Sequence, residues 1–407
     1  MNYFNFYICA PFHAMDSEPE ISLDNTAIAF SYKSNTELRK ANFIFSTVNH
    51  PWISALATGA VKAALSLRLP IDGIIRKTVF DHFVGGISIQ DSEDVIQKLA
   101  AFGVGTILDY SVEGEKSEPG FELTLNELLR TIDKAKTSSH IPFSVFKVTG
   151  LGSTELLAKI QAGEKLSDSE KTAYEQSKER VDKICKKAYE NKVPVLVDAE
   201  ETWIQDPIDA LADEMMAKYN KEKPIVFNTY QLYRTASLAN LHQAHKIATA
   251  NNYYLGAKVV RGAYMEKERH RAEKMGYPSP VYPDKEATDK AFNDALLFCV
   301  THLDKIAVMC GSHNEYSNLY LTELMKQNGI KKEDPRVWFA QLYGMSDNIS
   351  FNLAKAGYRV AKYVPYGPVR AVMPYLLRRA AENTSVAGQS SRELLMIRKE
   401  LKRRKKK

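Results

Sequence analysis

The sequence predicts an α/β fold, a (β/α)8 TIM-type barrel preceded by helices and with a further helix over its mouth. Eight short runs rich in β-branched and apolar residues recur after residue 100, and a polar amphipathic stretch follows each. Polar residues crowd the C-terminal ends of nearly all eight runs. Continuous apolar runs suit parallel strands buried on both faces, and in a barrel their C-terminal ends converge on one mouth. A doubly wound open sheet is the runner-up, weakened because no G-x-G-x-x-G follows any run.

Taken in order, residues 1–25 are expected to be disordered. The opening MNYFNFYICAPFHAM lacks a basic leader region, and the acidic DSEPE after Met15 resembles the start of a cytoplasmic protein, which makes Met15 a candidate first residue. Residues 26–100 read as an N-terminal helical segment, with helical spacing of apolar positions in ELRKANFIFSTV and WISALATGAVKAALSL. The barrel is expected over residues 101–390. Its runs are GVGTILDYS (103–111), PFSVFKVTG (142–150), VPVLVDAEE (193–201) and PIVFNTYQ (224–231), then LGAKVVRGAY (255–264), KIAVMCGSH (305–313), RVWFAQLYG (336–344) and RVAKYVPYG (359–367). Residues 151–192 are long for one connection and read as a helical insertion with no chemistry of its own. Residues 391–407 form a basic tail, read as a frayed, solvated helix end.

At 407 residues and 44% hydrophobic content the chain can bury a large core. Its net charge of +6 is concentrated in KELKRRKKK, so the body is close to neutral, and no nucleic-acid partner is expected. Peripheral contact of the tail with an anionic membrane is the secondary reading. Cys9, Cys185, Cys299 and Cys310 form no C-x-x-C pair, which argues against a zinc ribbon or redox dithiol and suits a reducing, cytoplasmic setting. No window reaches the length of apolar sequence that a membrane span needs.

The run ends carry the candidate chemistry. Lys147 stands near the end of the second run, where it must reach water or pair with an anion. Asp198, Glu200 and Glu201 close the third run, and alternation sends Asp198 and Glu200 to one side. Paired carboxylates fit a metal or acid–base chemistry, but partner ligands are not evident at the neighbouring ends, and no metal is expected. Lys258 and Arg261 flank the fifth run beside Gly262, with Tyr264 following, a set that suits a phosphate or an electron-rich ring. Their bland role is surface solvation. His313 ends the sixth run, as a contact or as a satisfied structural histidine, and Tyr363 ends the last. In PYLLRRAAEN, the offsets put Tyr375, Arg378, Arg379 and Glu382 on one helical face, where adjacent guanidiniums suit a small carboxylate.

The ordered set FKVTG, LVDAEE, FNTYQ, KVVRGAY, GSHNE, QLYGM, YVPYG and YLLRRAAEN resembles the proline dehydrogenase family over about residues 26–390. The resemblance implies a distorted (β/α)8 barrel with FAD across its mouth. Proline would lose a hydride to flavin N5 to give pyrroline-5-carboxylate, and a quinone would take the electrons, at the inner face of a membrane. Arg378, Arg379 and Lys147 match the substrate carboxylate clamp, and Leu342, Tyr363 and Tyr375 would pack round the proline ring. Glu382 matches a residue bracing the clamp helix, and Glu115 one that ion-pairs with the clamp. Asp198 matches the carboxylate that hydrogen-bonds Tyr363, and Lys258 a cation near flavin N5. Asn228, Val260, Arg261, Gly262, Tyr264, Ser312 and His313 would line the cofactor. The sequence departs from the family at Lys258, where some bacterial members have Arg, and at Asn228, where several relatives have Gln. Hydroxyproline dehydrogenase, a close branch, is the alternative, disfavoured because that branch has a smaller residue in place of Tyr363. A basic-tailed binding protein on a barrel scaffold and a metal-dependent barrel hydrolase complete the alternatives.

Overall fold

The computed structural model describes residues 21–48, 59, 67, 72–111, 115–385 and 389–406. Eight parallel strands close into one barrel in sequence order. They are β1 (Val104–Tyr110), β2 (Phe143–Phe146), β3 (Val195–Val197), β4 (Val226–Gln231), β5 (Leu255–Val260), β6 (Ile306–Gly311), β7 (Val337–Leu342) and β8 (Val360–Tyr366). Closure is made by β1 on β8, paired from Val104 with Val360 to Tyr110 with Tyr366.

Alternation divides the strands between two cores. Ile107, Val145, Leu196, Phe227, Met309, Ala340, Ala361 and Tyr363 fill the barrel interior, while Leu108, Val195, Val197, Val226, Val259, Val308 and Val364 pack outward against the helices. A third cluster joins Phe30, Leu38, Phe45, Phe80, Val372, Tyr375, Leu376 and Ile397, so the N-terminal helices, the helix Val369–Ser385 and the C-terminal helix Gln389–Lys405 share one apolar centre beside the barrel. Leu342 packs against both this cluster and the barrel interior.

The structure differs from the sequence reading in three places. Residues 1–20 lie outside the described residues, but Ile21 and Leu23 are buried, and Asn25 caps the helix Thr26–Ala29 through Ile28 N–H. Most of WISALATGAVKAALSL also lies outside the described residues. The stretch 151–192 is helical as expected but is built into the core: Asp168–Asn191 is a continuous helix opened by a Ser167/Glu170 capping box, and its buried face joins the main hydrophobic cluster. Its high charge conceals a buried stripe of Ser177, Arg180, Val181, Ile184, Cys185 and Ala188 at helical spacing. The basic tail is docked. Arg404 donates to the carbonyls of Phe30 and Lys33, and the fully buried Glu400 accepts from Arg403 and Arg404.

Candidate active site

Four side chains from four strand ends meet at the barrel mouth. Asp198, just past β3, accepts from Lys147 Nζ at 3.3 Å and from Lys258 Nζ at 2.5 Å. Lys258 also donates to the Tyr363 hydroxyl at 2.7 Å, and its ammonium lies 4.6 Å from the centre of that ring. The register explains the meeting, because Lys258 pairs with Met309, whose side chain points into the barrel, and Tyr363 pairs with Leu342. Lys258 is buried, and desolvation pulls its pKa below the ordinary lysine value against the pull of Asp198. Asp198 is buried too, yet the two lysines hold its carboxyl below the usual carboxylate range. Burial, with Asp198 next, drives the Tyr363 phenol far above its usual value, so the hydroxyl stays protonated.

Glu200 lies beside this set with Thr149 N–H and Oγ1 as donors, and burial pushes its pKa up to about 7. Each of these carboxylates is taken by side chains or backbone of the barrel. Among the described residues no group of three or more His, Cys, Asp or Glu side chains is arranged to hold a metal ion.

The helix Val369–Ser385 carries Arg378 and Arg379. Arg378 lies close enough to Tyr264 to act on its ionisation, as Lys147 does. Arg379 is 6% exposed, its guanidinium 5.1 Å from the Tyr375 ring centre, and it acts on His313. Glu382 belongs to this helix, but its side chain lies outside the described residues.

The opposite half of the mouth is formed by β4 to β7. Arg261 donates to Asp289, Ser312 and Ser317, tying the end of β5 to the helices Lys285–Thr301 and Glu315–Gln327. Gly262 adopts φ +133°, and a Cβ there would lie 2.4 Å from the Tyr233 ring, so no larger residue fits without movement. At Gly311 a Cβ would meet Val260 Cγ1 at 2.8 Å. Ser312 accepts from Arg261 and from Asn314 N–H. Burial, then the cations Lys362, Arg379 and Arg261, lowers the His313 pKa to about 3. The imidazole is neutral, with Nδ1 2.9 Å from Ser346 Oγ and Nε2 facing Leu342 N–H.

One sequence expectation is corrected here. Asn228 does not face the mouth: it pairs with Val197 and Ala257 on the outer parity of the sheet, and its amide donates to Asp209 on the helix Thr202–Tyr219. The residue of FNTYQ that reaches the mouth is Gln231, whose amide donates to the Glu200 carbonyl, and strand alternation from the inward Phe227 is the signal that points to it. The partners shown for Glu115 are local. Its carboxylate accepts from Lys116 N–H, Ser117 N–H and Ser117 Oγ at the start of the helix Glu118–Lys136.

A closed (β/α)8 barrel with a buried, ionised hydrogen-bond set at the C-terminal ends of its strands defines an enzyme of the TIM-barrel class. The chain belongs to the proline dehydrogenase family, whose family model matches residues 92–392. It is 36% identical over 386 residues to mitochondrial proline dehydrogenase 1 of Dictyostelium discoideum, covering 84% of this chain and 67% of that one. Against mitochondrial proline dehydrogenase 1 of Caenorhabditis elegans it is 34% identical over 373 residues, covering 88% of this chain and 59% of the relative. The barrel superposes on the proline utilization A (PutA) structure from Bdellovibrio bacteriovorus with a TM-score of 0.69 at 21% identity. That match covers 90% of this chain and 37% of PutA. The chain thus spans about three-fifths to two-thirds of these two curated relatives and a smaller part of PutA. Among the described residues no helix is long and apolar enough to cross a membrane.

Proposed function

We propose that the chain is a flavin-dependent proline dehydrogenase that oxidises L-proline to 1-pyrroline-5-carboxylate, with FAD across the barrel mouth and a quinone as electron acceptor. The observation that carries this reading is the joined set of Lys147, Asp198, Lys258 and Tyr363 beneath a helix presenting Arg378 and Arg379. In this reading Lys147, Arg378 and Arg379 are the three cations that take one small carboxylate.

The residues fit the cofactor. The β4–β6 half of the mouth offers a cation at Lys258, the Gln231 amide, Ser312 and a neutral His313, and its backbone carries no side chain at Gly262 or Gly311. Val260, Arg261 and Tyr264 complete that wall. When bound, the flavin supplies the hydride acceptor.

The protein's own residues do the rest. Arg378, Arg379 and Lys147 fix the substrate carboxylate, Tyr363, Leu342 and Tyr375 pack against its ring, and the amine is left able to lose its proton. Asp198 keeps Lys258 and Lys147 charged and in place. Glu382 would brace the guanidiniums from within their helix. The ring of Tyr363 fills the space that a 4-hydroxyl would need, which disfavours hydroxyproline as substrate.

For the electron acceptor, the exposed stripe of Leu395, Arg398, Lys399, Lys402, Lys405 and Lys406 on the C-terminal helix supports a peripheral encounter with an anionic membrane at its inner face. The deciding experiment is a visible spectrum of the purified protein before and after anaerobic L-proline, with trans-4-hydroxy-L-proline alongside. Flavin bands bleached by proline alone are expected, and protein that takes up no FAD would overturn the reading.

A further inference from the structure

A buried polar network lies behind the His313 wall, outside the residues that the proposed reaction uses. Asp347 is fully buried, ion-paired with Lys33 and Lys362 and accepting from the Tyr32 hydroxyl, each at 2.8 Å. These partners come from the N-terminal segment and from β8. Lys362 also donates to the Met345 carbonyl at 2.6 Å, His82 Nε2 lies 3.0 Å from the Gly344 carbonyl, and Glu393 of the C-terminal helix accepts from Ser346 N–H at 2.9 Å. The short loop after β7 is therefore held from three outside elements.

That loop needs holding. Gly344 has φ +79°, and Ser346 has φ +51°, a left-handed conformation costing an L-residue about 1–2 kcal/mol. Only in that conformation do both ends of Ser346 find their partners: its N–H on Glu393 and its Oγ on His313 Nδ1. His313 Nε2 in turn faces the N–H of Leu342, the apolar residue that joins the barrel interior to the Tyr375 cluster.

We infer that Glu393 is a positioning residue: through Ser346 it sets the orientation of His313 and of Leu342, coupling the C-terminal helix to the cofactor and substrate walls of the mouth. The chain of contacts is Glu393 to Ser346 N–H, Ser346 Oγ to His313, and His313 to Leu342 N–H. This rests on the proposed function for what the walls hold, but the coupling itself is a property of the protein alone. Burial pushes the Glu393 carboxyl up to about 7, so a neutral amide of the same shape is a fair replacement.

The test compares Glu393→Gln, Glu393→Ala and Ser346→Ala in the full chain. Two readouts need no cofactor: hydrogen exchange of residues 342–347, and the imidazole nitrogen signals of His313 in 15N-histidine-labelled protein. Glu393→Ala is expected to speed exchange of the loop about tenfold and to disturb the His313 tautomer, while Glu393→Gln stays close to wild type. In proline turnover, Glu393→Ala should raise KM about tenfold with a smaller effect on kcat, and Glu393→Gln should restore it. Unchanged exchange and His313 signals in Glu393→Ala would overturn the inference, as would a Gln variant as disturbed as the Ala variant. If Glu393→Ala does not fold, Ser346→Ala decides, since its His313 signals must move. A wild-type protein that neither binds FAD nor oxidises proline would remove the proposed function, yet leave these two readouts to judge the coupling.

Discussion

Lys258 reaches across the barrel from β5 to the Tyr363 hydroxyl on β8, 2.7 Å away, while the same ammonium holds Asp198 at 2.5 Å. One buried cation thus orders a carboxylate and a phenol drawn from opposite sides of the mouth. Lys258→Met leaves Asp198 with Lys147 as its remaining cation and Tyr363 without the ammonium. A fall in kcat/KM for proline of about a hundredfold is expected, with the visible spectrum of the bound flavin altered. A variant with wild-type kinetics and spectrum would show that Lys258 is only packing.

Arg378 is half-buried and Arg379 buried against the Tyr375 ring, so Arg378 is the cleaner test of the substrate clamp. Arg378→Met should raise KM for proline by tenfold or more, on the order of one charged hydrogen bond, while FAD content stays near wild type. Steady-state kinetics with a flavin assay on the same preparation decides this. Loss of flavin rather than affinity would move Arg378 to the cofactor side.

Tyr363 is 7% exposed and faces the barrel interior, paired with Leu342. Tyr363→Ser opens the space that the ring fills. The ratio of hydroxyproline to proline turnover should rise about tenfold or more, mostly by loss on proline. Parallel assays of the two substrates measure it, and an unchanged ratio would place the specificity elsewhere.

Asp213 offers a test of electrostatics away from the mouth. Its Oδ1 is buried without a hydrogen-bond partner, and burial, with Asp209 second, raises its pKa from 3.8 to about 7. A raised carboxyl favours the folded state fully below the unfolded value and loses that contribution as pH climbs through the folded one. Asp213→Asn removes the titration. Its melting temperature relative to wild type should therefore climb between about pH 4 and 7 and level off above. A difference that is flat with pH would mean the carboxyl is already ionised in the native protein.

The C-terminal helix presents two kinds of basic residue. Arg404 is committed to Phe30 and Lys33 carbonyls and to Glu400, whereas Lys402, Lys405 and Lys406 are exposed. Arg404→Ala should cost about 1–3 kcal/mol of stability in a denaturant titration. Replacing the three lysines by Gln should leave stability within about 0.5 kcal/mol and weaken binding to anionic vesicles. Equal vesicle binding would confine the helix to a structural role.

The barrel was legible because parallel strands buried on both faces write themselves as continuous apolar runs, and all eight runs become strands. The meeting of Lys147, Asp198, Lys258 and Tyr363 follows from their shared position at strand ends. Asn228 was misjudged on parity: one step along a strand turns a side chain from the mouth to the helices. The local donors that Glu115 takes from Lys116 and Ser117 are not marked by its spacing from the arginines. Ser346 and Glu393 left no signal, since nothing local marks a serine as left-handed and the two lie 47 residues apart, while the Tyr32–Asp347 bond of the same network spans 315.

That separation has a kinetic meaning. The bond from Arg404 to Phe30 closes a loop of 374 residues, and that from Arg392 to Asp24 one of 368. Contacts that enclose the entire barrel lose the most chain entropy before they are rewarded, so they belong after the transition state for folding. Weakening the clasp between the two ends should hasten unfolding while leaving refolding nearly as fast, and the barrel would then close on schedule around a mouth that reopens too often.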